Sequence, residues 1–365
     1  MLAPFTDRRP EVQSFFDDES QLAPARVEVE HLDNGGFILR SPDSLGPYPR
    51  CVGEWLEKWA VETPDALYFA EREGDGWREL TYAQVRDVVG RLGQGLLDLG
   101  LSSAQPLVVL SSNDLNHAML TLAAMHVGIP IGTISVSYSK GRKDYSKLAT
   151  ILASLNPAGI FVSHGHDFAP SLLSVKPDCP IIVGQDPEAI PGAVHIDQLY
   201  STDETPAVME AFNALTENSH ARYLLTSGST GEPKVVVNTH KMLCSNQQMI
   251  AQCWRFLDNC KLRVLDWLPW SHTFGANHNF NMVLRNGGSF YIDGTIGART
   301  AALTRAYSDM PEEMGTLIFS QKDLNEFVEE CYRNHLRLSL YTIGDRAIDL
   351  ALNAHEYAFS KTGIS

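Results

Sequence analysis

At 365 residues with 44% hydrophobic content, the chain is long enough for two domains or one large one and can bury a substantial core. A net charge of −15 and a pI near 5.2 argue against nucleic acid or an anionic membrane as partner, since phosphate contacts need clustered lysine and arginine. The six cysteines, at 51, 179, 244, 253, 260 and 331, form no CxxC pair and read as reduced thiols, with no metal site implied.

Met1 to Pro10 lacks the apolar core of a signal peptide, and the most apolar window, Ala118 to Ile134, is broken by His126, Gly128 and Pro130. A cytoplasmic protein is therefore expected. Along the chain, residues 27–39 read as a small hairpin turning on Asn34-Gly35-Gly36. Val52, Trp55, Leu56, Trp59 and Ala60 then fall on one helical face, and Thr63-Pro64 stops the run. Strands are expected at residues 66–71 and 77–80, around Gly74-Asp75-Gly76. Thr81 should cap a long core helix built on Val85, Val88, Val89, Leu92 and Leu96, ending at Gly100. A strand at 106–110, a helix at about 114–127 and a strand at 129–134 make a βαβ unit, which favours a parallel sheet covered by helices. A helix near 143–155 and strands at 159–162 and 180–183 continue the pattern. The fold class is α/β.

The chemistry gathers at Tyr223-Leu224-Leu225-Thr226-Ser227-Gly228-Ser229-Thr230-Gly231-Glu232-Pro233-Lys234, followed by Val235-Val236-Val237-Asn238. Strand-type runs flank a loop whose glycines let the backbone approach a polyphosphate closely. Thr226, Ser227, Ser229 and Thr230 offer hydroxyl donors and Lys234 a point charge. A serine- and glycine-rich surface loop is the alternative for so polar a stretch. A P-loop is excluded, because it needs Gly-Lys-Ser/Thr running into a helix, whereas Pro233 precedes this lysine and β-branched residues follow it. Downstream, Thr239 should cap a helix reaching about Trp254, and a strand at 262–267 delivers Leu268-Pro269-Trp270-Ser271-His272-Thr273-Phe274-Gly275 to the sheet's ligand-binding end. The pair His164 and His166 has zinc-type spacing without further ligands beside it in sequence.

The loop resembles the phosphate-binding signature of the adenylate-forming (AMP-binding) superfamily, and within it is most similar to feruloyl-CoA synthetases. Most relatives have glycine after the lysine, where Val235 stands here; the feruloyl branch also carries a non-glycine residue there. The resemblance covers roughly Glu11 to Asp293. It implies an acid–thiol (CoA) ligase using ATP, Mg2+ and coenzyme A. Thr226, Ser227, Gly228, Ser229, Thr230, Gly231 and Lys234 would hold the β- and γ-phosphates, and Lys234 and His272 would be the catalytic pair. It further implies that His272 borders the acid pocket and shifts between the two half-reactions, and that Asn277-His278-Asn279-Phe280 begins the helix lining that pocket. Trp270 and Phe274 could pack on an aromatic acid, or belong to the core. The partner is then a small carboxylic acid, with an aromatic one favoured.

The likeness breaks at Asp293-Gly294. Residues 294–365 contain no counterpart of the family's magnesium-serving glutamate, ribose-gripping aspartate or mobile C-terminal domain with its lysine. Instead Asp293 to Leu303 and Leu340-Tyr341-Thr342-Ile343-Gly344-Asp345-Arg346 resemble an interior piece of a barrel-type metal-dependent amidohydrolase, with Tyr341 where a metal-binding histidine normally stands. Two segments are expected: a truncated AMP-binding domain at 1–293, and a foreign α/β tail at 294–365 built from a strand, a helix and an extended segment. The expected chain is incomplete and weakly active or inactive as a ligase. A non-catalytic nucleotide-binding remnant and an amidohydrolase remnant are the alternatives. If truncation bares about 400 Å² of apolar surface, the loss is roughly 10 kcal/mol at ~25 cal/mol per Å², so marginal stability is expected.

Overall fold

The computed structural model describes residues 21–73, 76–140, 142–226, 233–292, 303–305, 314, 317, 319–333, 340, 342 and 345–363. Strands β1 (Glu28–His31) and β2 (Phe37–Arg40) form the expected antiparallel hairpin, with Gly35 at φ +81° in its turn. The helix Gly53–Glu62 follows, burying Trp55, Leu56 and Trp59. Strands β3 (Leu67–Glu73) and β4 (Gly76–Thr81) pair antiparallel and lead into the helix Tyr82–Asp98. That helix opens on a capping box: the Thr81 hydroxyl accepts from the Gln84 amide, and the Gln84 side chain accepts from the Thr81 amide.

β5 (Leu107–Val109), the helix Leu115–His126 and β6 (Ile131–Thr133) form the predicted parallel βαβ unit, with Leu107 opposite Ile131. After the helix Ser146–Leu155 come β7 (Gly159–His164), the helix Gly165–Val175, β8 (Ile181–Gln185) and β9 (Val194–His195). Two further helices, Ile196–Tyr200 and Pro206–Ala214, precede β10 (His220–Thr226) and β11 (Lys234–Thr239). The large sheet runs β11-β10-β6-β5-β7-β8-β9, parallel throughout except for the antiparallel edge strand β11. Alternation along β5 divides its two faces. Leu107 and Val109 join the main core beneath the helices Tyr82–Asp98 and Leu115–His126, while Val108 and Leu110 pack with residues of the two helices on the other face.

The helix His240–Cys253 starts on Thr239, whose hydroxyl accepts from the Met242 amide. A single turn, Phe256–Asn259, leads to β12 (Arg263–Asp266); the helix Phe280–Asn286 and β13 (Ser289–Ile292) follow. β12 and β13 join β3 and β4 in a second sheet of order β12-β13-β3-β4, parallel except for β4. One core therefore draws on both sheets: Phe69 from β3 and Phe290 from β13 lie 6.0 Å apart, within the same cluster as Leu107 and Ile131.

Carboxylates tie the sheets together at the start of the helix Leu115–His126. Asp114 Oδ1 accepts from the His117 amide at 2.7 Å, and Glu71 of β3 accepts from the Leu115 amide at 3.0 Å. Burial pushes the Asp114 carboxyl up to about 7, with Glu71 adding to the rise. Because the folded pKa lies above the unfolded one, the penalty is absent at low pH, grows from about pH 4 and is complete above 7. Asp114→Asn keeps the cap oxygen and removes the charge. It is expected to stabilise the fold at pH 8 by on the order of 2 kcal/mol, and by less at pH 5.5. Urea melts at the two pH values check this; an equal change at both would mean the charge is not responsible.

All six cysteines are free thiols. No helix among the described residues is long and apolar enough to cross a membrane. The tail differs from expectation. Its described part contains two helices, Gln321–Arg333 and Asp345–Thr362, joined through Leu324, Val328, Ala354 and Ala358 in a cluster separate from the main core. The first was not foreseen, although Leu324, Val328 and Cys331 recur at helical spacing. The strand expected before Asp345 lies mostly outside the described residues.

Candidate functional site

Ser227, Gly228, Ser229, Thr230 and Gly231 lie outside the described residues, but both anchors of their loop are described. Thr226 ends β10, Lys234 begins β11, and the two face each other across the hairpin, where the Thr226 hydroxyl donates to the Lys234 carbonyl at 3.4 Å. Both are exposed. The hairpin thus presents the Lys234 ammonium at the carboxyl end of a parallel strand, a cation suited to a polyphosphate, beside a hydroxyl turned onto the hairpin's own backbone.

His272 follows β12 in an exposed turn. Its amide donates to the Pro269 carbonyl at 3.0 Å and its carbonyl accepts from the Ala276 amide at 3.0 Å. Its Nδ1 accepts from the Phe274 amide at 3.2 Å, which places the proton of the neutral ring on Nε2. Two distant amides hold this segment. Asn113, on the loop after β5, donates to the Leu268 carbonyl at 2.8 Å and accepts from the Trp270 amide at 3.0 Å. Gln247, in the helix His240–Cys253, donates to the carbonyls of Asn277 and His278 at 2.9 and 3.2 Å.

Residues Phe274–Asn279 form a π-helical turn rather than the start of the α-helix expected from Asn277, and the Phe280 amide closes it on the Gly275 carbonyl. Gly275 permits this geometry by close approach: a Cβ there would lie 2.6 Å from the Leu268 oxygen and 2.9 Å from that of Pro269. Gly275→Ala is expected to cost about 1–3 kcal/mol, because backbone rather than a movable side chain opposes the methyl. A melting temperature equal to that of the parent would mean the turn relaxes freely.

The structure brings the two motifs together. Asn277 Nδ2 donates to Asn238 Oδ1 of β11 at 2.7 Å and to the Thr273 hydroxyl at 3.2 Å, so the phosphate-loop hairpin and the His272 turn share a direct bond. Phe274 is 46% exposed beside the His278 ring at 4.9 Å, whereas Trp270 is 1% exposed. Trp270 is a core residue, packed edge-on against Phe280 at 5.2 Å and His117 at 4.9 Å, because the Asn113 clamp turns it inward. Asn113 and Gln247 were not singled out in the sequence, and Asn238 and Gly275 stood there only as members of the two motifs, without a role; their contacts in the fold mark them. His166, by contrast, does gain neighbours: with Asp186 and Glu188 it offers ligand atoms within 4.8 Å of one another, in a largely exposed group that does not include His164.

An open, mostly parallel sheet with an antiparallel hairpin at one edge, bonded to the His272 turn that follows a strand of a second sheet, has the architecture of the large domain of adenylate-forming enzymes. The chain belongs to the AMP-binding enzyme family, which it matches over residues 56–313. Among relatives, CymA of Salinispora arenicola (strain CNS-205), assigned as a non-canonical nonribosomal peptide synthetase, is 26% identical over 246 residues, covering 67% of this chain and 3% of CymA. YngI of Bacillus subtilis (strain 168), assigned as an acyl-CoA synthetase, is 23% identical over 246 residues, covering 62% of this chain and 43% of YngI. Among solved structures, ATP-bound MatB from Rhodopseudomonas palustris superposes with a TM-score of 0.55 at 16% identity, over 86% of this chain and 58% of MatB. The chain thus spans less than half the length of the two curated relatives.

Proposed function

We propose that the chain carries the ATP- and acid-binding part of an acyl-CoA ligase of feruloyl-CoA synthetase type. The observation that carries this reading is the Asn238–Asn277 bond, which joins a hairpin suited to ATP phosphates to a turn suited to the acid. In the reaction, the acid's carboxylate attacks the α-phosphorus of ATP and pyrophosphate leaves; the thiol of coenzyme A then attacks the acyl carbon, loses its proton and releases AMP. Magnesium would enter on the nucleotide's phosphate oxygens. Thr226 and Lys234, with Ser227 to Gly231 between them, neutralise the β- and γ-phosphates. His272, Phe274 and Asn277 border the acid, and Trp270 supports that wall from the core. Charge neutralisation and alignment, rather than acid–base chemistry, are what these residues supply.

The division at 293/294 belongs to the same proposal. The family match runs on to residue 313, and what favours a separate tail is that its helices keep their own apolar cluster, as an amidohydrolase-like fragment joined to a ligase domain would. So does a cytoplasmic setting, which the free thiols support. Ferulate-dependent exchange of labelled pyrophosphate into ATP tests the function. Exchange above the acid-free rate supports a ligase; ATP binding without exchange for any acid, amino acids included, assigns the chain to the non-catalytic reading.

A further inference from the structure

A cavity of about 280 Å³ lies at the end of the small sheet remote from the His272 turn. It sits at the amino ends of β12 and β13, whereas the His272 turn follows the carboxyl end of β12. The helix Gly53–Glu62 lends Trp55, Lys58 and Trp59 to its wall, the segment before β12 lends Lys261, and the helix that precedes β13 lends Arg285. Three cations therefore line it against one carboxylate, that of Asp258, in a chain whose net charge is −15.

The fold holds these cations in place. The ammoniums of Lys58 and Lys261 lie 4.2 and 3.7 Å from the centroid of the Trp59 ring, which is 8% exposed and fixed by its indole N–H donating to the Leu284 carbonyl at 2.7 Å. The two charges are thus within a Debye length of each other. Lys261 Nζ donates to the Asn286 carbonyl at 2.7 Å and packs against Gly287, where a Cβ would lie 2.8 Å from that nitrogen. The Arg285 side chain is 16% exposed, and its guanidinium donates to Asp258 Oδ1 at 3.0 Å and to Gln248 Oε1 at 3.5 Å.

Their charges are only partly balanced. Asp258 pairs with Arg285, and Glu62 stands 3.9 Å from Lys58, both half-exposed. Lys261 has no ion-pair partner among the described residues, and burial, with the Lys58 charge adding to it, holds its ammonium below the usual lysine range. Complementing the carboxyl-terminal dipole of the helix Phe280–Asn286 accounts for one Lys261 bond. It does not account for three cations around one cavity, a gathering whose members repel one another until an anion enters.

Independently of the ligase reading, we propose that this cavity binds a phosphate-type dianion, free or at the end of a small ester. A guanidinium fork and two ammoniums suit such a dianion better than a monocarboxylate, which carries too little charge to meet all three. The volume is below the range usual for larger organic ligands, so it suits a compact group rather than a whole nucleotide.

The test is calorimetric titration of the full chain, free of divalent metal, with inorganic phosphate, glycerol phosphate and acetate at pH 8. Lys234→Ala is the background, since it removes the hairpin's cation and isolates this cavity. Phosphate or its ester is expected to bind tenfold or more tightly than acetate, the tighter of the two naming the source. Lys261→Met and Lys58→Met should each weaken that binding tenfold or more, while Lys241→Ala leaves it unchanged. Lys58 is half-exposed, so its variant keeps the inference testable if the Lys261 variant fails to fold. Binding no tighter than that of acetate, or unchanged binding in folded Lys58→Met, overturns the inference. Phosphate binding that the parent shows and the Lys234→Ala chain lacks places the anion at the hairpin, which also overturns it while supporting the ligase reading. Failure of the parent to bind MgATP bears on the ligase reading alone.

Discussion

Replacing Lys234 by alanine is expected to weaken MgATP binding by on the order of 100-fold, the scale of one lost charge-assisted contact to phosphate. Lys234 is exposed at the first position of an edge strand, so its removal should leave the melting temperature of the free protein nearly unchanged. Lys241→Ala is the matched control: Lys241 is also exposed, close by in sequence, and paired with Glu217 at 2.8 Å. That variant should bind nucleotide as the parent does. Equal affinity in the Lys234 variant would remove the phosphate assignment from the hairpin, because Lys234 is the sole lysine or arginine in the sequence of residues 223–238.

Truncating Trp270 to alanine should cost about 3–5 kcal/mol, a large fraction of the stability of a typical domain. Its ring is packed with Phe280, Phe290 and His117, so the substitution empties the junction between the two sheets rather than a wall open to ligand. A steep fall in denaturant midpoint agrees with that placement. A variant with parental stability and altered acid affinity would instead restore Trp270 to the acid pocket. Phe274→Ala provides the contrast, since a half-exposed ring should affect acid binding far more than stability.

Much of this fold is legible in the chain because its elements announce themselves locally. Thr81, Asp114 and Thr239 each begin a helix in the structure, and each cap is a side-chain oxygen taking a nearby amide. The βαβ unit at 107–133 follows from short apolar strands flanking a helix, and the strands β10 and β11 from an apolar run before the glycine loop and a β-branched run after it. What sequence did not carry is whatever depends on partners far along the chain. Asn113 reads as an ordinary loop amide until Leu268 and Trp270 fold back onto it. Arg222 sits in a strand where alternation alone would suggest a solvent-facing cation, yet its face is the one covered by Phe280. The π-turn at 274–279 arises from the Gly275 contact with two carbonyls, which has no periodic signature.

The small sheet is assembled from two ends of the chain. β13 lies in its middle, paired with β12 on one side and β3 on the other, so Phe290 meets Phe69 only after the whole large sheet has been threaded between them. On a ribosome making ~5–20 residues per second, β3 therefore waits on the order of tens of seconds for its central neighbour. During that interval the paired hairpin of β3 and β4 stands with one bare edge and an uncovered aromatic face. Folding of this chain is consequently a late, non-local closure, and holdase chaperones acting on nascent chains before residue 292 emerges should govern its yield in cells more than any single contact in the finished molecule.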